Sequence, residues 1–169
     1  RLMKKKYPGC KVVFVGPCAA KKLEASRRSV RSDVDFVLTF EELQGMFEAK
    51  EVDFKAIPVE DEVPLCEASG VARNFAVGGG VAAAVVEAAK HLAPEREVKV
   101  VAAQGLSECK KMLMLAKAGK YNGYLLEGMC CPGGCVAGAG TIQPIKKSTM
   151  AVEKYRNDAE IKNPLDSEF

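Results

Sequence analysis

The chain has 169 residues, 48% hydrophobic and 28% charged, which is the composition of a globular domain with a real core. With 25 basic and 22 acidic residues the formal charge is only +3, so composition gives no reason to invoke nucleic acid, and Lys4-Lys5-Lys6 and Arg27-Arg28 read as solvated faces. No apolar run approaches the ~18 residues of a membrane span, and seven cysteines, an odd number without an apolar targeting segment, argue for metal ligation or burial over a disulfide scaffold in a cytoplasmic setting.

Val12-Val13-Phe14-Val15 is a continuous, β-branched apolar run that reads as a buried strand. It feeds Gly16-Pro17-Cys18, and a cysteine at the carboxyl end of a buried strand sits where open α/β sheets place their ligands. Asp35-Phe36-Val37-Leu38 reads as a second strand. Thr39-Phe40-Glu41-Glu42 then has the spacing of a capping box, opening a helix to about Lys50 on the stripe Leu43, Met46 and Phe47. Residues 51–77 read as a loop with Pro58, Pro64 and a buried Cys66. A loop of that length lines a site or docks elsewhere.

Gly78-Gly79-Gly80 leads into a helical stripe of Val81, Ala84, Val85, Ala88 and Leu92, with His91 on its surface. The triple glycine reads as a tight helix entry and does not match a nucleotide-binding fingerprint. Val98–Ala103 is a third strand. Gly105 turns into a helix with Leu106, Cys109, Met112, Leu113 and Ala116 on one face, Cys109 being core, and Gly119 closes it. Tyr124-Leu125-Leu126 is the fourth strand, and a helix from about Ser148 to Arg156 begins the tail. Strands alternating with helices predict an α/β fold with a mostly parallel four-stranded sheet flanked by helices. The domain occupies residues 1–147, followed by a C-terminal helix and tail over 148–169.

The fourth strand delivers Leu126-Glu127-Gly128-Met129-Cys130-Cys131-Pro132-Gly133-Gly134-Cys135, followed by Val136-Ala137-Gly138-Ala139-Gly140. Three cysteines within six residues, wrapped in glycine, suit a metal–sulfur cradle, because thiolates are soft ligands and glycine lets backbone bend closely around them. In one parallel sheet Cys18 would share an edge with Cys131 and Cys135. Zinc sites usually pair two short Cys or Cys/His units, and here the second unit is the lone Cys18. A catalytic thiol would need a base nearby, and none is evident. Iron–sulfur is favoured, with zinc and structural cysteines still open.

Two motifs sharpen the choice. Pro17-Cys18-Ala19-Ala20-Lys21-Lys22-Leu23-Glu24 resembles the second signature of the iron-only ([FeFe]) hydrogenases, Pro-Cys-x-x-Lys-x-x-Glu. Glu127 to Cys135 resembles their third, Glu-x-Met-x-Cys-x-x-Gly-Cys, and Ser32–Thr39 lies between them as in the family. The resemblance covers about residues 9–144. It implies one lobe of the domain that holds the H-cluster, a [4Fe–4S] cubane joined through a cysteine to a diiron unit with CO, cyanide and a dithiolate bridge. Cys18 and Cys131 would then ligate the cubane and Cys135 would bridge the two parts. Lys21 would hydrogen-bond a cyanide, Met129 would pack by the bridge, and Glu24 and Glu127 would be supporting residues.

The family's first signature, Thr-Ser-Cys-Cys-Pro, is absent, and with it a fourth cubane ligand and a proton-relaying cysteine. The chain opens on Arg1, so it reads as an excised piece whose partners are the remaining N-terminal part of the same hydrogenase, ferredoxin, and H2 and protons as substrates. Gly138-Ala139-Gly140-Thr141-Ile142 stands where the family has Gly-Gly-Gly-Gln-Pro, and Cys130 stands where alanine is common. These departures imply a divergent, ferredoxin-linked or sensory branch from anaerobic bacteria. The fragment alone is expected to be inactive. The rivals are a hydrogen sensor without turnover and a cubane-only electron-transfer or assembly relative.

Overall fold

The computed structural model describes residues 1–30, 33–58 and 68–167. Cys66, Ser32 and the middle of the expected 51–77 loop lie outside the described residues. The chain divides into two compact units, Arg1–Val59 with Gly138–Gln143, and Glu60–Ala137 with Pro144–Phe169.

In the first unit a short helix α1 (Leu2–Lys6) precedes strand β1 (Val13–Val15), helix α2 (Ala20–Ser26), strand β2 (Phe36–Leu38) and helix α3 (Phe40–Ala49). The strands pair in parallel, Val13 beside Phe36 and Val15 beside Leu38, with α2 as the crossover. Residues 20–25, Ala-Lys-Lys-Leu-Glu-Ala, are all strong helix formers, which lets α2 start directly after the strand turn. The capping box at Thr39 is formed: its hydroxyl accepts from the Glu42 N–H at 3.2 Å, and the Glu42 carboxylate accepts from the Thr39 N–H at 2.8 Å. Gly140 packs against the Thr39 side chain so closely that a Cβ there would collide with it.

Two carboxylates hold this unit's surface together. Asp35 accepts from the Val12 N–H at 2.8 Å and pairs with Lys4 at 2.9 Å, while both Glu42 oxygens take Lys22 Nζ, at 2.6 and 2.7 Å. The Val12 N–H, then Lys4, holds the Asp35 carboxyl below its ordinary range; Lys22, then the Thr39 N–H, does the same for Glu42. A depressed folded-state pKa contributes stability above the unfolded values, 3.8 for Asp35 and 4.5 for Glu42, and that contribution disappears as pH falls through the lower folded-state values. Acidification below 4.5 is therefore expected to loosen this unit. Lys22→Met should flatten the pH dependence of urea unfolding below that point; an unchanged slope would mean the Glu42 grip contributes nothing.

The second unit runs through helix α4 (Gly70–Arg73), helix α5 (Gly80–Leu92), strand β3 (Val100–Gln104), helix α6 (Leu106–Lys117), strand β4 (Leu125–Met129) and helix α7 (Ile145–Asn157). β3 and β4 pair in parallel in the register Val100 with Leu125 to Gln104 with Met129. The buried Ser69 caps α4, a helix inside the expected loop, by accepting from the Ala72 N–H at 3.3 Å. The tail packs on α4: the Gly70 N–H donates to Ile161, and the Arg73 guanidinium lies 4.2 Å from the Tyr155 ring centre.

The α/β class and the parallel pairing of strands flanked by helices are as expected. The single four-stranded sheet is not: among the described residues the strands form two two-stranded parallel sheets, one in each unit. Sixty-one residues separate β2 from β3 (Leu38 to Val100), and the described ones among them form helices α3, α4 and α5 with no strand that joins the first pair. β1 also differs from the buried strand its apolar run suggests, since Val13 is 47% exposed, as is Phe36 of β2 at 57%. A two-stranded sheet with one crossover helix cannot cover both its faces. Along α6 the buried side carries Met112, with Cys109 half-buried, while Leu106 and Leu113 are 72% and 60% exposed, so the inward stripe is narrower than the apolar residues suggest.

Candidate metal centre

The described cysteines form no disulfide. Cys18 lies in the first unit, half-buried on the turn between β1 and α2. The turn is anchored on both sides: the Gly16 N–H donates to Leu38 at 3.0 Å, and the Pro17 carbonyl accepts from the Gly140 N–H at 3.0 Å. The Cys18 carbonyl accepts from the Lys21 N–H at 3.3 Å, which starts α2 directly at the cysteine. One turn on, the Lys21 ammonium meets the Glu24 carboxylate at 2.5 Å. The two charged residues of the second signature thus grip each other. Both are more than 40% exposed, so the pair adds little stability and its use is to fix where the ammonium sits. Lys21 and Glu24 border a hollow of about 100 Å³ that Phe14 and Val37 close from below.

Cys131 and Cys135 lie in the second unit, both half-buried, and Cys130 between Met129 and Cys131 is exposed. β4 runs on through Glu127, Gly128 and Met129, so the third signature begins as strand and not as loop. Glycine at 128 lets α6 pack closely on the strand there, since a Cβ would stand 3.3 Å from Cys109 Sγ. The Cys109 thiol itself points at the Ala103 and Met129 carbonyls, at 3.6 and 3.5 Å, and belongs to the packing between α6 and the sheet. Half-buried Met129 is the last residue of β4, its carbonyl also accepting from the Gly105 N–H at 2.8 Å. Glu127 is buried, and one carboxylate oxygen accepts from the Ala82 N–H of α5 at 3.2 Å.

Between the two cysteines the chain makes a tight turn. The Gly134 N–H donates back to the Cys131 carbonyl at 3.0 Å, with Gly133 and Gly134 at φ 98° and 93°, a region that favours glycine. The turn is fixed from outside by segments that carry no site signal in the sequence. Gln104 Oε1 accepts from the Gly133 N–H at 2.7 Å, the Gly78 N–H donates to the Gly133 carbonyl at 3.1 Å, and the Val136 N–H donates to Ala76 at 3.0 Å. A Cβ on Gly134 would stand 2.5 Å from Gly78 N and 2.8 Å from the Ala76 oxygen. The triple glycine is therefore a wall of the cysteine turn as well as a helix entry. Position at the carboxyl end of a parallel strand is the one signal that could have drawn attention to Gln104.

Among the described residues β1 and β4 belong to different sheets, so the single sheet edge expected to carry Cys18, Cys131 and Cys135 is not formed. Among the described residues no group of three or more His, Cys, Asp or Glu is placed to hold a metal ion. Each unit presents its own donors: Cys18 beside an oriented ammonium in one, and two thiols bracketing a clamped glycine turn in the other. The donor chemistry of each part fits an iron–sulfur cluster, since the donors are thiols and Gly134 in the cysteine turn leaves no room for a side chain.

The chain matches the family model of the iron only hydrogenase large subunit, C-terminal domain, over residues 1–139. It is 31% identical to the NADP-reducing hydrogenase subunit HndD of Solidesulfovibrio fructosivorans, the match covering 88% of this chain and 31% of that protein. A probable cytosolic Fe-S cluster assembly factor of Drosophila grimshawi is 28% identical, over 90% of this chain and 41% of its own length. Among solved structures, an [FeFe]-hydrogenase studied for oxygen inactivation of its H cluster superposes with a TM-score of 0.65 at 20% identity, covering 99% of this chain and 59% of the other. The chain thus spans well under half the length of these two curated relatives. No helix among the described residues is long and apolar enough to cross a membrane. A family match over most of the chain, a hydrogenase relative above 30% identity and a shared fold agree: this chain belongs to the family defined by the C-terminal domain of the iron-only hydrogenase large subunit.

Proposed function

We propose that Cys18, Cys131 and Cys135 are ligands of an H-cluster, and that the protein carrying this chain interconverts protons and hydrogen with ferredoxin as its electron partner in the cytoplasm. The observation that supports this most is the cysteine turn, whose two thiols bracket a Pro-Gly-Gly stretch in which Gly134 has no space for a side chain and the peptide groups around Gly133 have outside partners. In this reading Cys18 and Cys131 would be ligands of the [4Fe–4S] cubane, Cys135 would be the ligand shared with the diiron unit, and Met129 would pack beside it. When bound, the H-cluster supplies the redox-active iron at which protons and electrons combine. The residues of the chain hold and orient it. Lys21, steadied by Glu24, offers an ammonium to an anionic ligand, and a cation beside cyanide is a favourable hydrogen-bond donor. The fourth cubane ligand and the proton path would belong to the remaining part of the same hydrogenase.

Infrared spectroscopy of the anaerobically matured protein tests the reading. Bands from bound CO and cyanide are expected, lost in Cys135→Ala and kept in Cys130→Ala. A second reading is a cubane-only assembly factor, favoured by the 28% identity to such a relative over 90% of the chain. Iron and sulfide bound without any CO or cyanide band would decide for it.

A further inference from the structure

The cysteine turn carries two adjacent glycines at positive φ, the most flexible backbone a chain can offer, yet its thiols must be held at fixed positions to serve a cluster. What removes that freedom is not in the signature. The peptide groups on either side of Gly133 are both committed, its N–H to Gln104 Oε1 at 2.7 Å and its carbonyl to the Gly78 N–H at 3.1 Å. Gln104 is the last residue of β3, in register with Met129, the last of β4, so its backbone is tied to the strand that delivers the cysteines. Its carboxamide fills the space a side chain at position 78 would need: a Cβ on Gly78 would fall on the Gln104 Nε2 and Cδ. Gly78 itself is not at positive φ, so an alanine there would meet no backbone strain and would act by pushing the Gln104 carboxamide aside.

We propose that Gln104 is a positioning residue for the Cys131–Cys135 turn, and that Gly78 is glycine in order to admit the Gln104 carboxamide; the role in cluster retention rests on the H-cluster reading above. A neutral acceptor suits the place. It satisfies the Gly133 N–H without setting a negative charge beside cysteines that become thiolates when they bind iron. Gln104 touches neither metal nor substrate. It acts by fixing the peptide between the two ligands.

Amide exchange at Gly133, measured by NMR on the metal-free full chain, reads the clamp directly. Gln104→Ala should speed it by about tenfold, the effect of losing one hydrogen bond that resists local opening. Gly78→Ala should do the same by displacing the carboxamide. In the Gln104→Ala background, Gly78→Ala should have little further effect, because the three nearest atoms the methyl meets all belong to the Gln104 carboxamide. Gln104→Glu, which keeps the acceptor, should leave Gly133 protected and covers the case in which Gln104→Ala fails to fold. Unchanged Gly133 exchange in a folded Gln104→Ala chain, or equal effects of Gly78→Ala in both backgrounds, would overturn the clamp.

The second readout is release of iron from the reconstituted protein to a chelator. It should be several-fold faster in Gln104→Ala, while the Leu125 amide, bonded to the Lys99 carbonyl at 2.8 Å within the sheet, stays protected. Faster Gly133 exchange with wild-type iron release would overturn the positioning role. Failure of the wild-type protein to bind any iron would overturn the cluster reading and leave the exchange result to judge the clamp.

Discussion

Gly134→Ala is expected to cost the second unit about 3 kcal/mol and to abolish iron retention. Two effects contribute. At φ 93° any Cβ is strained, by about 1–2 kcal/mol on the usual scale for left-handed backbone. The stronger effect is steric, since the new methyl would stand 2.5 Å from Gly78 N, 2.8 Å from the Ala76 oxygen and 2.8 Å from the Val77 carbonyl carbon. All three are backbone atoms and cannot rotate away, so the turn must leave the 76–78 segment; overpacking of this kind costs about 1–3 kcal/mol. Gly133→Ala is the internal control. It has the same kind of φ, 98°, but its nearest neighbours are the Ile145 methyl at 3.4 Å and Ala137 at 3.7 Å, so it should suffer the dihedral strain alone. Urea unfolding of the two variants gives the difference. Equal stabilities would mean that the 76–78 wall does not constrain the turn.

That wall shows what the sequence revealed and what it hid. The capping box at Thr39, the helix after the triple glycine and the strand leading to the cysteines were legible because each is set by residues close in sequence. The two signatures were legible for the same reason. The pairing of strands is a long-range property: β3 and β4 pair across α6, and nothing in an apolar run says which other run lies beside it. The buried reading of β1 failed on that point, because a continuous apolar strand predicts cover on both faces but does not say what supplies it. Gln104 was invisible because a lone glutamine at a strand end carries no local pattern. Its function exists only once Gly133 and Gly78 are brought to it from opposite directions along the chain.

Removal of the Glu127 carboxylate is expected to destabilise the second unit by about 2–3 kcal/mol in Glu127→Ala and by less than about 1 kcal/mol in Glu127→Gln. Helix α5 begins without a side-chain cap of its own, because its N-cap is Gly79 at φ 86°. Its third residue, Ala82, is 3% exposed, so water does not reach its N–H, and the acceptor comes from β4: Glu127 Oε2 at 3.2 Å. The carboxylate thereby caps the positive end of a 13-residue helix from a neighbouring strand. Alanine would leave that N–H buried without an acceptor and open a void where the side chain was. Glutamine keeps an oxygen for the N–H and loses only the charge–dipole attraction, about 0.3–1 kcal/mol. Among the described residues Glu127 Oε1 has no hydrogen-bond partner, so the charge is held at some desolvation cost, which further narrows the gap between wild type and Glu127→Gln. Since Glu127 opens the third signature two residues before Met129, the same bond also ties the start of α5 to the strand that carries the cysteine turn. Chemical denaturation of the two variants decides the matter. If Glu127→Ala were as stable as Glu127→Gln, α5 would be held by its packing alone, and the glutamate of the signature would need another explanation.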